Sequence, residues 1–240
     1  MWVAPSNPLR LSERSLHLWR LALNVSPESQ TRLAKLLSPA ETIRAERFMH
    51  DHDRRDFTVA HAVLRILVEN YLGAKSACYQ IESKNFEKPF ILESGRPSPL
   101  RFNLSHSHGY ALFGFTLNHE IGVDLERLRP LPDAGELAKR YFSETECREI
   151  GKLDEEQRLE GFFNCWTRKE AYVKARGRGL EIPLDSFTVS CGPGALPELR
   201  SVDSANWSMY AFRSLNDFVA AVVVEKNGWE LKFFDASRLL

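Results

Sequence analysis

The chain is poor in the features that mark specialised protein classes. It has only 4 cysteines in 240 residues (Cys78, Cys147, Cys165, Cys191), none in Cys-x-x-Cys spacing. That argues against a zinc module and a disulfide framework, and fits a reducing cytoplasm. Charge of one sign is not in excess: 32 Lys+Arg balance 32 Asp+Glu. No global field therefore draws polyanions, and bulk nucleic-acid binding is not expected. The longest apolar run, Phe218 to Val224, falls far short of the ~20 residues that span a bilayer. The opening Met-Trp-Val-Ala-Pro-Ser carries no basic segment followed by an apolar core, so neither a signal peptide nor a membrane span is expected. No period of about 20–50 residues recurs, which excludes solenoids.

What remains is an ordinary globule, 43% hydrophobic and 27% charged, long enough for one large domain or two small ones without staples. Leu16 to Leu21 alternates as a strand does. Two Ser-Pro pairs, at Ser26 and Ser38, announce helices, the second as a capping box closed by Glu41. Apolar positions from Thr58 to Leu72 recur at helical spacing up to Gly73, with His61, Arg65 and Glu69 on the opposite stripe. Residues 86–101 read as loop with short extended pieces. Tyr110–Leu117 and Ile121–Glu126 read as adjacent strands joined by a turn. Ser143 to Glu146 is a second capping box, and a long helix runs from about Gly161 to Ala175. The remainder, around Ser186–Ser190, Trp207–Phe212 and Phe218–Val224, reads as strands. The order points to an α+β fold in two halves, residues 1–118 and 119–240.

Three constellations carry chemistry. In Gly122-Val-Asp-Leu-Glu126 the i, i+2 spacing puts Asp124 and Glu126 on one strand face. Paired carboxylates repel unless a cation lies between them, and oxygen-only ligands suit Mg²⁺. The bare triplet also occurs as a solvated edge strand. On the long helix, Glu170 and Lys174 are i, i+4 neighbours beside the aromatic Phe162 and Trp166. They are either an exposed stabilising pair or, if buried, an acid and a base in need of a metal and a phosphate. In Phe102-Asn-Leu-Ser-His-Ser-His108, Ser105 and His106 are adjacent and point apart, and no Gly-x-Ser-x-Gly elbow exists. Hydroxyl, imidazole and backbone donors at a strand end suit a phosphate better than covalent catalysis; a polar turn is the alternative. Lys88, in Glu87-Lys-Pro-Phe90, is unremarkable alone.

Together these segments resemble the 4'-phosphopantetheinyl transferase family, in its larger monomeric, surfactin-synthetase-activating type. Glu-Lys-Pro-Phe is similar to the family's Gly-Lys-Pro segment, with glutamate for glycine. Phe-Asn-Leu-Ser-His-Ser resembles Phe-Asn-Ile-Ser-His-Ser. Ile-Gly-Val-Asp-Leu-Glu resembles the metal-binding strand, and Trp-Thr-Arg-Lys-Glu-Ala-Tyr-Val-Lys the Trp-x-x-Lys-Glu-x-x-x-Lys helix. Lys139 to Glu146 also has a counterpart, and the similarity runs from about Ser38 to Val189.

The resemblance implies two similar α/β subdomains packed as a pseudo-dimer, with the active site in the cleft between them. The first would take the adenosine and 3'-phosphate side of coenzyme A, and the second would hold metal and carrier. It implies transfer of the phosphopantetheine arm of coenzyme A to a serine of an apo acyl or peptidyl carrier protein, by a monomer that needs Mg²⁺ or Mn²⁺. Asp124, Glu126 and Glu170 would be the metal ligands. Lys174 would take the pyrophosphate, and Glu170 would be the general base, directly or through metal-bound water. Arg44, Lys88 and His106 are candidates for the 3'-phosphate region, with Asn103 and Ser105 as neutral hydrogen-bonding groups. Departures lie at Glu41, where relatives carry lysine, and at Asp56 and Phe57, where they carry Arg-Thr. Arg54 or Arg55 is the substitute there. At Glu146 the family places an extra acid, which the capping box already explains. Arg127, Arg129, Lys139 and Arg140, with Leu128, Leu131 and Phe142 as apolar anchors, are the expected face for an acidic carrier. A metal-dependent phosphodiester hydrolase and a non-catalytic coenzyme A or carrier-binding module are the rival readings.

Overall fold

The computed structural model describes residues 2–4, 9–73, 78–83, 88–177 and 179–240; Phe86, Glu87 and Arg178 of the sequence segments above lie outside them. In chain order the elements are β1 (Ser15–Ala22), α1 (Pro27–Ala34), α2 (Pro39–Glu46), α3 (Asp51–Leu72), β2 (Tyr79–Glu82), β3 (Phe90–Glu93), β4 (Arg96–Pro97), β5 (Leu100–Ser107) and β6 (Tyr110–Leu117). There follow β7 (Ile121–Arg127), α4 (Ala134–Tyr141), α5 (Glu144–Gly151), α6 (Glu155–Arg176), β8 (Thr188–Val189), β9 (Leu199–Arg200), β10 (Trp207–Leu215), β11 (Phe218–Glu225) and β12 (Glu230–Asp235). The fold is α+β, in two compact units. One comprises Met1–Glu82, Phe90–Asn118 and Trp229–Leu240, the other Ser83–Pro89 and His119–Gly228. A single cut at 118/119 therefore misses two exchanges: the last strand belongs to the first unit, and the segment bearing Lys88 to the second.

In the first unit the sheet order is β12-β1-β6-β5, with β12 parallel to β1 and the rest antiparallel. Trp19, Leu21, Phe113 and Phe115 from this sheet and Val63 and Leu67 from α3 share one core, and each such side chain contributes roughly 1.5–3 kcal/mol on burial. The α2 capping box is present: Ser38 Oγ accepts the Glu41 N–H at 3.3 Å, and Glu41 Oε2 accepts the Ser38 N–H at 2.8 Å. Glu41 also takes Arg65 Nε at 2.7 Å and His61 Nδ1 at 3.2 Å. Burial alone would raise its carboxyl, but the hydrogen bonds from His61, Ser38 and Arg65 outweigh that and bring it down to about 2.

One histidine of this unit is buried without charge compensation. His17 is 2% exposed, and its Nδ1 lies 2.8 Å from the Tyr71 hydroxyl, which accepts Trp19 Nε1–H at 2.8 Å. Burial, reinforced by Lys232, holds His17 down to about 4.

In the second unit the order is β10-β11-β7, antiparallel throughout. The turn after β6 does not make a hairpin of it with β7: β6 pairs with β1 and β5, β7 with β11. Val219, Ala221 and Val223 of β11 pack with Phe162, Phe163 and Tyr172 of α6 in the second core. α6, like α3, is 22 residues long and stops at a left-handed glycine, Gly177 after α6 and Gly73 after α3, where an L side chain would be strained.

Two contacts set where α6 lies. At Gly122 an added Cβ would stand 2.0 Å from the Ala171 carbonyl oxygen and 2.3 Å from the Ala175 nitrogen. Helix backbone and strand backbone are therefore in direct contact, which only glycine permits. On another side of α6, Lys169 is wholly buried, and its Nζ donates to Leu184 O and Phe187 O, both at 2.6 Å, and to Glu146 Oε1 at 2.7 Å. Glu146 Oε1 also accepts Val189 N–H, and Oε2 accepts the Ser143 N–H and hydroxyl. Cys165 and Cys191 lie beside it, but with four donors already on its oxygens Glu146 is a structural hub and not a metal ligand. Phe142, expected as a surface anchor, is instead 4% exposed and packs on Phe162 and Trp166. It precedes the Ser143 cap, where an apolar residue fixes the entry of the helix.

Two outcomes follow. Gly122→Ala should lower stability in urea by about 2–3 kcal/mol, since neither backbone can yield without moving α6; an unchanged midpoint would contradict the contact. Unfolded His17 takes its proton near 6.5 and folded His17 only near 4, so between these values the unfolded chain binds more protons. Stability should then fall by up to about 3 kcal/mol from pH 7 to pH 4, and His17→Leu should flatten that part of the profile.

Candidate active site

The site begins with strand alternation. Because the Gly122 face of β7 lies on α6, Asp124 and Glu126, two and four residues on, share that face. Their partners on β11 are Ala221 and Val219, small or apolar residues that leave the carboxylates as the polar groups of this patch. Asp124 is 4% exposed and Glu126 half-buried.

From α6, Glu170 and Lys174 stand next in sequence to Ala171 and Ala175, the two residues against Gly122. The backbone contact therefore delivers both side chains to the acidic strand. Lys174 Nζ donates to Asp124 Oδ1 at 2.6 Å, which replaces the exposed Glu–Lys helix pair as the local reading. Glu170 is half-buried, and its carboxyl is raised by burial first and by the Asp124 charge second, against a lowering by Lys174. Asp124 and Glu170 are thus near enough to repel. Asp124, Glu126 and Glu170 bring oxygen donors alone to this patch, beside the Lys174 ammonium. That donor set fits a hard divalent cation such as Mg²⁺, which would relieve the repulsion that Glu170 registers.

Lys88 belongs to the same unit. It forms an ion pair with Glu120 Oε2, and its Cβ lies 3.4 Å from where a Cβ on Gly177 would stand. The Glu120 N–H in turn donates to Glu225 Oε2 at 2.8 Å. A lysine that looked merely solvated is therefore packed at the C-terminal end of α6. Lys169 and Glu120 went unassigned in the sequence. The Lys-Glu dipeptide of α6 was the available signal, since neighbours on a helix point about 100° apart and so serve different faces.

The remaining candidates lie in the first unit. Asn103 and Ser105 are buried on one face of β5, and exposed His106 alternates to the other. The whole segment to Ser107 is strand, not a turn after one. Arg44 is exposed on α2, its guanidinium 5.2 Å from the Phe57 ring. At the Arg-Thr departure, Asp56 and Phe57 are buried; Asp56 Oδ1 accepts Arg55 at 2.8 Å, while Arg54 pairs with Asp51. Phe57 also stacks on His61 at 4.0 Å. Phe57 thereby provides a ring shared by a cation and an imidazole.

The profile of the 4'-phosphopantetheinyl transferase superfamily matches residues 120–223, and that of the 4'-phosphopantetheinyl transferase N-terminal region matches residues 23–114. The chain is 37% identical over 234 residues to the 4'-phosphopantetheinyl transferase HetI of Nostoc, with 97% of both chains covered. It is 28% identical over 165 residues to the 4'-phosphopantetheinyl transferase Sfp of Bacillus subtilis, covering 69% of this chain and 71% of that one. Among solved structures, a holo-(acyl-carrier-protein) synthase of Bacillus anthracis in complex with CoA is similar over 45% of this chain and 96% of its own, at 24% identity and a TM-score of 0.39. A relative 37% identical over nearly the full length, with a family profile matching each half of the sequence, places the chain in the 4'-phosphopantetheinyl transferase family.

Proposed function

We propose that the chain transfers 4'-phosphopantetheine from coenzyme A to a serine of an apo acyl or peptidyl carrier protein, in the cytoplasm and as a monomer. The observation that carries this is the convergence of Asp124, Glu170 and Lys174 where β7 meets α6, in a member of a family so named. The serine oxygen forms a bond to the phosphorus that bears the pantetheine arm. The bond from that phosphorus to the bridging oxygen breaks, and adenosine 3',5'-bisphosphate leaves with the electron pair. Such transfers depend on positioning and on neutralising the charge that grows on the leaving group.

Asp124, Glu126 and Glu170 would hold Mg²⁺ or Mn²⁺, which when bound supplies Lewis-acid stabilisation to the pyrophosphate. Lys174 offers a mobile point charge to the same pyrophosphate. Glu170 is also assigned to take the serine proton. Lys88, Arg44 and His106 are assigned to the 3'-phosphate region, and Asn103 and Ser105 to neutral hydrogen bonds.

For the carrier, Arg127, Lys139 and Arg140 are exposed and Leu131 is half-buried. Leu131 and Lys139 also line a groove of about 570 Å³ with Ala138, Ile150, Leu159 and Phe162. An acidic, partly apolar helix matches both features.

Intact mass spectrometry of apo carrier proteins incubated with coenzyme A and Mg²⁺ should show the gain of one phosphopantetheine. Asp124→Ala and Glu170→Ala should each slow that gain at least about a hundredfold, with circular dichroism unchanged. Consumption of coenzyme A without a mass gain would indicate a hydrolase instead. Normal turnover by either variant would overturn the site assignment.

A further inference from the structure

We infer that Lys174 is a built-in competitor for the divalent ion, so that the chain binds a bare ion weakly and binds it well only together with a phosphate-rich ligand. The identity of that ligand rests on the transferase reading; the competition itself does not. Lys174 Nζ sits 2.6 Å from Asp124 Oδ1, and the Asp124 side chain is 6% exposed against 30% for the lysine. An ion held by Asp124 would share its oxygens with this ammonium, or lie within about 5 Å of it, and like charges that close beside a buried carboxylate repel strongly.

Lysine is also the cation best able to leave. Its charge rides on a flexible four-carbon stem, and its exposed end can turn to a new anion while the stem stays packed. A pyrophosphate beside the ion supplies that anion. Once Lys174 engages it, the lysine charge no longer competes with the divalent ion at Asp124. The two ligands then assist one another, and by linkage the assistance is equal in both directions. Lys88 of the same unit shows the same compensation, since it is held by Glu120. Both cations are stored against carboxylates, consistent with a chain whose formal charge is zero.

The test is Mn²⁺ binding to the full chain, read by electron paramagnetic resonance without coenzyme A. Lys174→Met should bind Mn²⁺ at least about tenfold more tightly than the parent, and Lys174→Arg should remain weak. Adding coenzyme A should tighten Mn²⁺ binding in the parent and do so far less in the Met variant. Asp124→Asn in the Met background should abolish the gain, which locates it. Should Lys174→Met fail to fold, Lys174→Gln, which keeps a donor for Asp124 and removes the charge, carries the same expectation. A folded Met or Gln variant that binds Mn²⁺ no more tightly than the parent overturns the inference. Tighter Mn²⁺ binding in a chain that transfers nothing would support this inference and remove the transferase reading.

Discussion

The second unit is organised by a contact between two backbones. Where Gly122 of β7 meets Ala171 and Ala175 of α6, no side chain separates strand from helix, and everything carried on the facing surfaces is brought correspondingly close. Asp124 and Glu126 follow Gly122 at intervals of two, while Glu170 and Lys174 precede the two alanines by one. A larger residue at 122 would lift the helix and part these groups. The buried Lys169, tied to Glu146 and two carbonyls, holds the helix from another side, so α6 has little freedom to rotate. Precision at the acidic patch is in this sense a property of the packing and not of the patch.

Charge accounting separates the structural clusters from the candidate site. At Glu146 each oxygen already serves two donors, and at Glu41 a cap, a histidine and an arginine share the carboxylate. Both are acids whose buried charge is answered within the fold. At β7 and α6, Glu170 is half-buried near Asp124 and responds by holding its proton more tightly. A carboxyl raised by burial and by a neighbouring carboxylate is the signature expected of a functional site.

Much of this was legible in the chain. Both capping boxes, the stop at Gly73 and the alternation of β7 were read correctly, because each depends on residues only a few positions apart. Pairings that join distant segments leave no such local trace. The parallel union of β12 with β1 and the capture of the Lys88 segment by the second unit therefore had to be seen in the structure. Phe142 misled because an aromatic residue at a helix entrance looks the same in sequence whether it faces water or core. Lys169 and Lys174 are likewise indistinguishable by type, yet one is a buried strut and the other reaches Asp124. The candidate acids were visible as letters, but the family resemblance, not spacing, joined the strand pair to the helical glutamate.

The central claim is that β7 and α6 present Asp124, Glu126 and Glu170 to one ion. Anomalous diffraction from crystals grown with Mn²⁺ and coenzyme A tests it most directly. The account predicts a single strong peak within bonding distance of oxygens from all three residues. A peak elsewhere, or one that leaves Glu170 outside its coordination sphere, would contradict it.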